Sequence, residues 1–439
     1  MSNSRYQAYF AVEGGWFNEL PAHWQKLPSN RVFEQRRESA KEDDEQLSAT
    51  QKYGVVPQSL FMALDDRKVT LALAGTDNFK HVDEGNFVIS LRSFEGGIEL
   101  SNYSGCVSPA YTCLKARKPI ANDYYKFALK CSDYILALQS VTQGIRDGKN
   151  ISYGEFSRLS VPYPPLLEQL AIATFLDRET AKIDALIAEQ QRLIELLQEK
   201  RQAVISHAVT KGLNPDAPMK DSGVEWLGEV PEHWAVGKLS YYSVIGTGAT
   251  PDRQRSDYWN GDIPWIKTGE VRYEDIHQAE ESISELALNE TSCSLLNPGT
   301  LLMALYGQGV TRGRVGMLAI QASCNQACAT IAPTDSLNGR YLELYLTNAY
   351  EHIRSLGNET TQQNLNLDFV RELELLLPPT EEQQLIWQAC KERAVGMDSL
   401  LGCSLDAIAL LQERRSALIS AAVTGQIDVR GLVPEASAA

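Results

Sequence analysis

Basic residues are in short supply. With 41 Lys and Arg against 56 Asp and Glu, the 439-residue chain has a formal net charge of −15, a balance that taken whole argues against a nucleic-acid partner. No apolar run reaches membrane-spanning length, and the start MSNSRYQAYF lacks the charged and apolar regions of a signal peptide. Both features predict a cytoplasmic protein. Eight cysteines with no export signal read as reduced thiols. The nearest pair, Cys324 and Cys328, has no second pair or histidine close by, which weighs against zinc. Catalytic signatures are missing as well. An N6-adenine methyltransferase needs an Asn/Asp-Pro-Pro-aromatic loop, and the Pro-Pro pairs here sit in YPPL and LPPT. GQGVTRG (307–313) and GTGATP (246–251) miss the dinucleotide-binding spacing. RDGKN (146–150) fails as a phosphate loop because Gln143 and Asn150 replace its first glycine and its hydroxyl residue.

What is present is a long repeat. GGWFNELPAHWQKL (14–27) returns as GVEWLGEVPEHWAVGKL (223–239), and a shift of 210 lays Trp16 on Trp226, Pro21 on Pro231, His23 on His233 and Trp24 on Trp234. LQEKRQAVISHAVTKG (197–212) returns as LQERRSALISAAVTGQ (411–426) at a shift of 214, and the same shift lays YPPLLEQ (163–169) on LPPTEEQ (377–383). The chain is a tandem duplication, with a period suited to one domain plus one long helix. His23 and His233, each behind a proline and beside a tryptophan, are expected to be packing and turn residues. No His/Ser/Asp or Cys/His set recurs in both halves.

The helices carry the firmest pattern. A stripe with 4-3 spacing runs through Leu176, Thr180, Ile183, Ile187, Gln190, Ile194, Leu197, Arg201, Val204 and Ala208. It recurs 214 residues on as Cys390, Ala394, Met397, Leu401, Ser404, Ile408, Leu411, Arg415, Leu418 and Ala422. The polar interruptions coincide, as expected if the two copies pack on each other or on equivalent partners. Pro165 and Pro379 precede the starts, Thr380 to Gln383 has the form of a capping box, and Thr210-Lys211-Gly212 and Thr424-Gly425 look like the stops. Each helix should span roughly 60 Å at about 1.5 Å per residue.

The intervening stretches read as α/β mixtures with short strands and glycine turns. VDEGNFVISLRSFEGGI (82–98) aligns with LNPGTLLMALYGQGV (296–310), Gly85 on Gly299, and beyond the shared strand the copies diverge. A common framework with different loops fits two domains that bind related but different targets. The expected organisation is a lead-in (1–27), a first domain (28–162), a central helix (163–212), a linker with a second lead-in (213–239), a second domain (240–377), a C-terminal helix (378–426) and a tail (427–439).

In this order and duplicated, these segments resemble the DNA-specificity (S) subunit of type I restriction-modification systems. The resemblance rests on GVEWLGEVPEHW, on GTGATPDRQRSDYWNGDIPWIKTGE (246–270), on VISLRSFEGGIELSNYSGCVSPAYTCL (88–114), and on PPLLEQLAI and PPTEEQQLI at the helix starts. The first domain departs from it, with an acidic KEDDEQ stretch (41–46) where the second has its YW…IPW opening. The resemblance implies an α/β (α+β) fold of two target recognition domains joined by two long antiparallel coiled-coil helices. It implies a non-catalytic chain that reads a bipartite, asymmetric site in double-stranded DNA. It also implies two adenine-methylating M subunits as partners, R subunits able to join, and S-adenosylmethionine on the M subunits, with no cofactor on this chain. An autonomous methyltransferase or nuclease and a protein-only coiled-coil adaptor are the competing readings. Like units about a pseudo-dyad would dock each lead-in at the end of the other repeat's helix.

Charge is local within this frame. Residues 28–149 hold 16 basic and 16 acidic side chains, and 114–130 holds five basic against one acidic. Candidate base-edge readers are Arg92, Ser93 and Tyr111 in the first domain and Tyr306, Gln308, Arg312, Asn325 and Gln326 in the second, because Arg, Asn and Gln form paired hydrogen bonds in the major groove. Lys115, Arg117 and Arg314 add DNA-facing charge, and the glycines around Arg312 and Arg314 suit close approach to a phosphate. Lys149 and Asn150 align with Gln362, Gln363 and Asn364 as a shared loop. The candidate partner interface comprises Leu176, Ile183, Ile187, Ile194, Leu197, Arg201, Val204, Met397, Leu401, Ile408, Leu411, Arg415 and Leu418.

Overall fold

A computed structural model describes residues 5–65, 78–89, 98–141, 151–307, 310–355 and 365–432. The chain divides into two compact units, one comprising Met1–Gln191 with Leu405–Ala439, the other Arg192–Ser404. Two long helices, α1 (Leu166–Lys211) and α2 (Thr380–Val423), each contribute one part to each unit.

The same framework is built twice. In the first unit the strands β1 (Phe33–Arg36), β2 (Phe87–Ile89), β3 (Ile98–Leu100) and β4 (Thr112–Ala116) form an antiparallel sheet in the order β1-β4-β2-β3. The second unit holds β5 (Ser243–Thr247), β6 (Trp259–Ile266), β7 (Glu281–Ile283), β8 (Leu301–Ala304), β9 (Val315–Met317), β10 (Ser323–Cys324) and β11 (Cys328–Pro333). Its four-stranded antiparallel sheet runs β5-β11-β8-β9, the counterpart of the first, and a three-stranded sheet runs β7-β6-β10. Ahead of each sheet the repeated Trp phrase supplies the second arm of a short hairpin, Tyr9–Ala11 with Glu19–Pro21 and Met219–Asp221 with Glu229–Pro231.

One carboxylate explains why that phrase occurs twice. Glu168, in the first turn of α1, accepts hydrogen bonds from Trp24 Nε1 (2.9 Å) and Tyr6 Oη (3.1 Å) and lies 2.7 Å from His23 Nε2. Glu382 of α2 does the same for Trp234 Nε1 (3.1 Å) and His233 Nε2 (2.8 Å). Both histidines, expected to be packing and turn residues, stay exposed and act as hydrogen-bond partners of the latch carboxylates. The neighbouring glutamine fastens the domain. Gln169, fully buried, donates to Pro164 O and accepts from Ala121 N, while Gln383 donates to Pro378 O and Ser336 O and accepts from Asn338 N. The capping box expected at Thr380 is therefore not formed by Gln383, because its amide is taken by tertiary partners.

Within each unit the helix segments run antiparallel. In the first, Arg415 Nε lies 2.8 Å from Asp184 and the core joins Ile172 and Leu176 to Ile419 and Val423. In the second, Arg201 lies 2.8 Å from Asp398 and the core joins Ile205 and Val209 to Ile386 and Cys390. The two ion pairs are the same pair displaced by 214. The first lead-in and the first domain both meet the far end of the other repeat's helix: Tyr9 Oη of the lead-in donates to Gly425 O (2.9 Å) and Tyr124 Oη of the domain to Val423 O (2.8 Å). Gly425 (φ +73°) and Gly212 (φ +79°) take the left-handed conformation that ends each helix. A Cβ on Gly425 would stand 2.5 Å from Pro21.

One expectation needs correction. An 18-residue stretch of α2 is long and apolar enough by composition to cross a bilayer, and 11% of it is buried. No single apolar run reveals it, because apolar seam positions and exposed leucines on the same helix add up over that length.

Candidate nucleic-acid interface

The first domain neutralises much of its basic stretch itself. Lys115 and Arg117, alternate residues on β4 and just past it, both reach Glu34 of β1 (3.2 and 2.9 Å), and these two cations hold the Glu34 carboxyl below its ordinary value. Tyr111 is half-buried against the cluster of Val82, Val88 and Cys113, and its carbonyl accepts from Lys80 Nζ. Arg92, Ser93, Lys149 and Asn150 lie outside the described residues, as do Gln308, Gln362, Gln363 and Asn364 in the second domain.

In the second domain Tyr306 is exposed, whereas Arg312 is turned inward, 7% exposed, with Nη2 donating to Arg354 O (3.1 Å). The structure places Arg312 as a brace for its hairpin, in contrast to the base-edge role expected. Arg314 lies with its guanidinium 5.9 Å from the Tyr273 ring, and its buried Nε has no hydrogen-bond partner among the described residues. Gly313 (φ +85°) faces Ile353 and Tyr350, so the room it leaves is filled by the helix Tyr350–Ser355 and not by a phosphate.

Asn325 and Gln326 occupy the tight turn between β10 and β11, beside a cavity of about 510 Å³. Around it stand residues the candidate set missed: Thr250, Arg253, Lys267 and Arg272, over a floor formed by the buried Trp265 indole. Arg253 stacks 3.9 Å from the Trp259 ring and pairs with Glu281 (2.6 Å), and Lys267 pairs with Glu280 (2.8 Å) and Glu281 (3.1 Å). The signal lay in the opening 246–270, where Arg253, Arg255, Trp259, Trp265 and Lys267 fall within fifteen residues, but a strand reading alone does not bring that segment to Asn325. Trp265 pairing with Ser323 and Ile266 with Cys324 does.

The helix stripe is used inside the chain. Leu176, Ile183 and Leu197 are buried, and Ile187, Ile194, Val204, Met397, Leu401, Ile408, Leu411 and Leu418 are half-buried. Arg201 and Arg415 close the Asp398 and Asp184 pairs. These positions were expected to meet a partner, and the structure spends them on the fold because one chain supplies both strands of the coiled coil. The helices leave other apolar side chains outward, among them Leu186, Leu405 and Leu410 in the first unit and Leu193, Leu196, Val395 and Leu400 in the second. Leu186 and Leu400 are 214 apart, as are Leu196 and Leu410.

The family model for the type I restriction modification DNA specificity domain matches this chain twice, over residues 21–196 and 231–392. The chain belongs to the type I DNA-specificity family. Its recognition role is accordingly non-catalytic. Among curated relatives, the MjaIX specificity subunit of Methanocaldococcus jannaschii is 31% identical over 168 residues, which is 36% of this chain and 38% of that protein. The EcoKI specificity subunit of Escherichia coli K12 is 23% identical over 331 residues, covering 72% of this chain and 67% of that one. Two solved structures share the fold at 15% identity. The HsdS subunit of Thermoanaerobacter tengcongensis has a TM-score of 0.55, covering 93% of this chain and 98% of its own. A chain from a study of complex assembly and conformational transition in a type I system has a TM-score of 0.74, covering 93% and 99%.

Proposed function

We propose that this specificity protein reads a bipartite, asymmetric site in double-stranded DNA, one half per unit, and holds two copies of an adenine-methylating M subunit, to which R subunits can attach. The observation that carries this reading is the duplicated framework with unlike loops. The same sheet order, the same Trp-Glu latch and the same Arg-Asp pair occur in both units. A surface present twice suits two copies of one partner, and the repeated exposed leucines of α1 and α2 are the part of it not used by the fold. The domain faces differ, Lys115 and Arg117 over Glu34 in one and an aromatic-floored cavity in the other, as reading two different half-sites requires. S-adenosylmethionine belongs on the M subunits, and the complex works in the cytoplasm.

The test is methyl transfer to DNA by the chain with its M subunit, followed by mapping of the methylated adenines. A split motif that appears only when both proteins are present is the expected result. Methylation by this chain alone, or by M subunit alone on the same motif, sinks the proposal.

A further inference from the structure

The turn that carries Asn325 and Gln326 is held from both sides. It closes on itself through Cys328 N to Asn325 O (3.1 Å). The end of β5 grips it through Ala249 N to Cys324 O (2.9 Å) and Thr247 Oγ1 to Gln326 O (3.0 Å), and the end of β8 through Leu305 N to Ala327 O (2.8 Å). Gly248 lies so close beneath that a Cβ there would stand 2.1 Å from Cys324 O. Gln326, at the tip, is exposed on a fixed backbone.

The side-chain oxygens at this tip are already engaged. Gln326 Oε1 accepts from Thr250 Oγ1, and Asn325 Oδ1 accepts from Ala327 N (3.2 Å). Each amide is thereby set with its oxygen toward the protein, and the groups left to a ligand are two NH₂ donors. Arg272, on the wall of the adjoining cavity, uses Nε on Gly269 O (2.9 Å) and keeps its terminal nitrogens for another partner. The neighbouring Arg253 and Lys267 are neutralised by Glu281 and Glu280.

An amide that reads adenine must accept from N6 and donate to N7 along one edge, and here both oxygens are turned to protein donors, Thr250 Oγ1 and Ala327 N, so that the amino groups are what the turn offers a ligand. Guanine presents two acceptors side by side, N7 and O6, which match donors alone, and arginine is their commonest partner. We propose that Asn325, Gln326 and Arg272 form a donor-only edge that selects guanine in the half-site read by the second domain, with Thr250 as the positioning residue that fixes the amide of Gln326. This rests on the reading of the chain as a DNA-specificity subunit.

The experiment is methylated-site mapping, with duplex binding in parallel, on the complete complex with M subunits. Gln326→Ala and Arg272→Ala should each cut discrimination at a guanine of one half-site roughly tenfold and leave the other half-site unchanged, which also reports that the chain has folded. Thr250→Val frees the amide to turn over and should let adenine be tolerated at that guanine, a change that simple loss of structure does not produce. The proposal is overturned if all three variants keep the wild-type motif, if they weaken specific and random duplex equally, or if the position that changes is not a guanine. A wild-type complex with no split motif would instead bring down the specificity reading itself, and the guanine edge with it.

Discussion

At the scale of single residues, a few carboxylates matter more than their number suggests. Glu168 satisfies Trp24, Tyr6 and His23 together, and both Trp24 and Tyr6 are nearly fully buried. Glu168→Ala would leave two buried donors without partners, at a cost of about 1–3 kcal/mol for each. Urea unfolding should show that loss with the methylated motif unchanged, and an altered motif would mean that the latch also positions the reading loops. Glu99 behaves differently. Burial pushes its carboxyl above the ordinary 4.5, against the pull of Lys130 at 2.8 Å, and its Oε1 has no hydrogen-bond partner among the described residues. A carboxyl raised on folding contributes stability that is full below its unfolded value and fades as pH rises through its folded value. Glu99→Gln removes that decline, so variant and wild type should separate in favour of the variant as pH climbs from about 4.5 toward neutrality. Parallel unfolding curves across that range would contradict the assignment.

At the scale of elements, each long helix has two apolar faces with different uses. The seam through Leu176, Ile183 and Leu197 is buried within the chain, whereas Leu186 and Leu400 are exposed. Leu197→Asp puts a charge into the seam and should destabilise the chain by several kcal/mol. Leu186→Glu with Leu400→Glu should change stability by no more than about 0.5 kcal/mol per site, as surface substitutions do, and yet reduce co-purification with the M subunit. Denaturation midpoints and pull-down yields of the two variants separate the faces. If the outer pair retains full M binding, the partner must dock elsewhere.

At the scale of the whole molecule, α1 is unbroken from Leu166 to Lys211 and contributes to both units. Four residues inserted after Lys200 add one turn, about 6 Å of rise, against about 3.4 Å per base pair. The two half-sites should therefore stay as they are while the unread gap between them grows by one or two base pairs. Some activity should be lost, because four residues overshoot a 3.6-residue turn and rotate the chain beyond the insertion about the helix axis. Methylated-site mapping decides the matter, and an active variant with an unchanged gap would show that the helix does not set the distance.

The duplication, the two helices, their seam and their glycine stops were all legible in the sequence, because helical periodicity and a fixed 214-residue offset are properties of the chain order itself. Periodicity shows which face of a helix is apolar but not what covers it. Two repeats that share one framework can close on themselves or on each other with similar contacts. Tertiary structure made that choice, bringing Val423 and Gly425 of the second repeat against Tyr124 and Tyr9 of the first. It also decided which polar residues face outward. Arg312 and Gln326 look alike as candidate readers in the sequence, yet the backbone turns Arg312 onto Arg354 O and leaves Gln326 at an exposed tip. A polar side chain's direction is set by strand pairings and by whichever buried acceptor needs a donor, and those partners lie tens or hundreds of residues away along the chain.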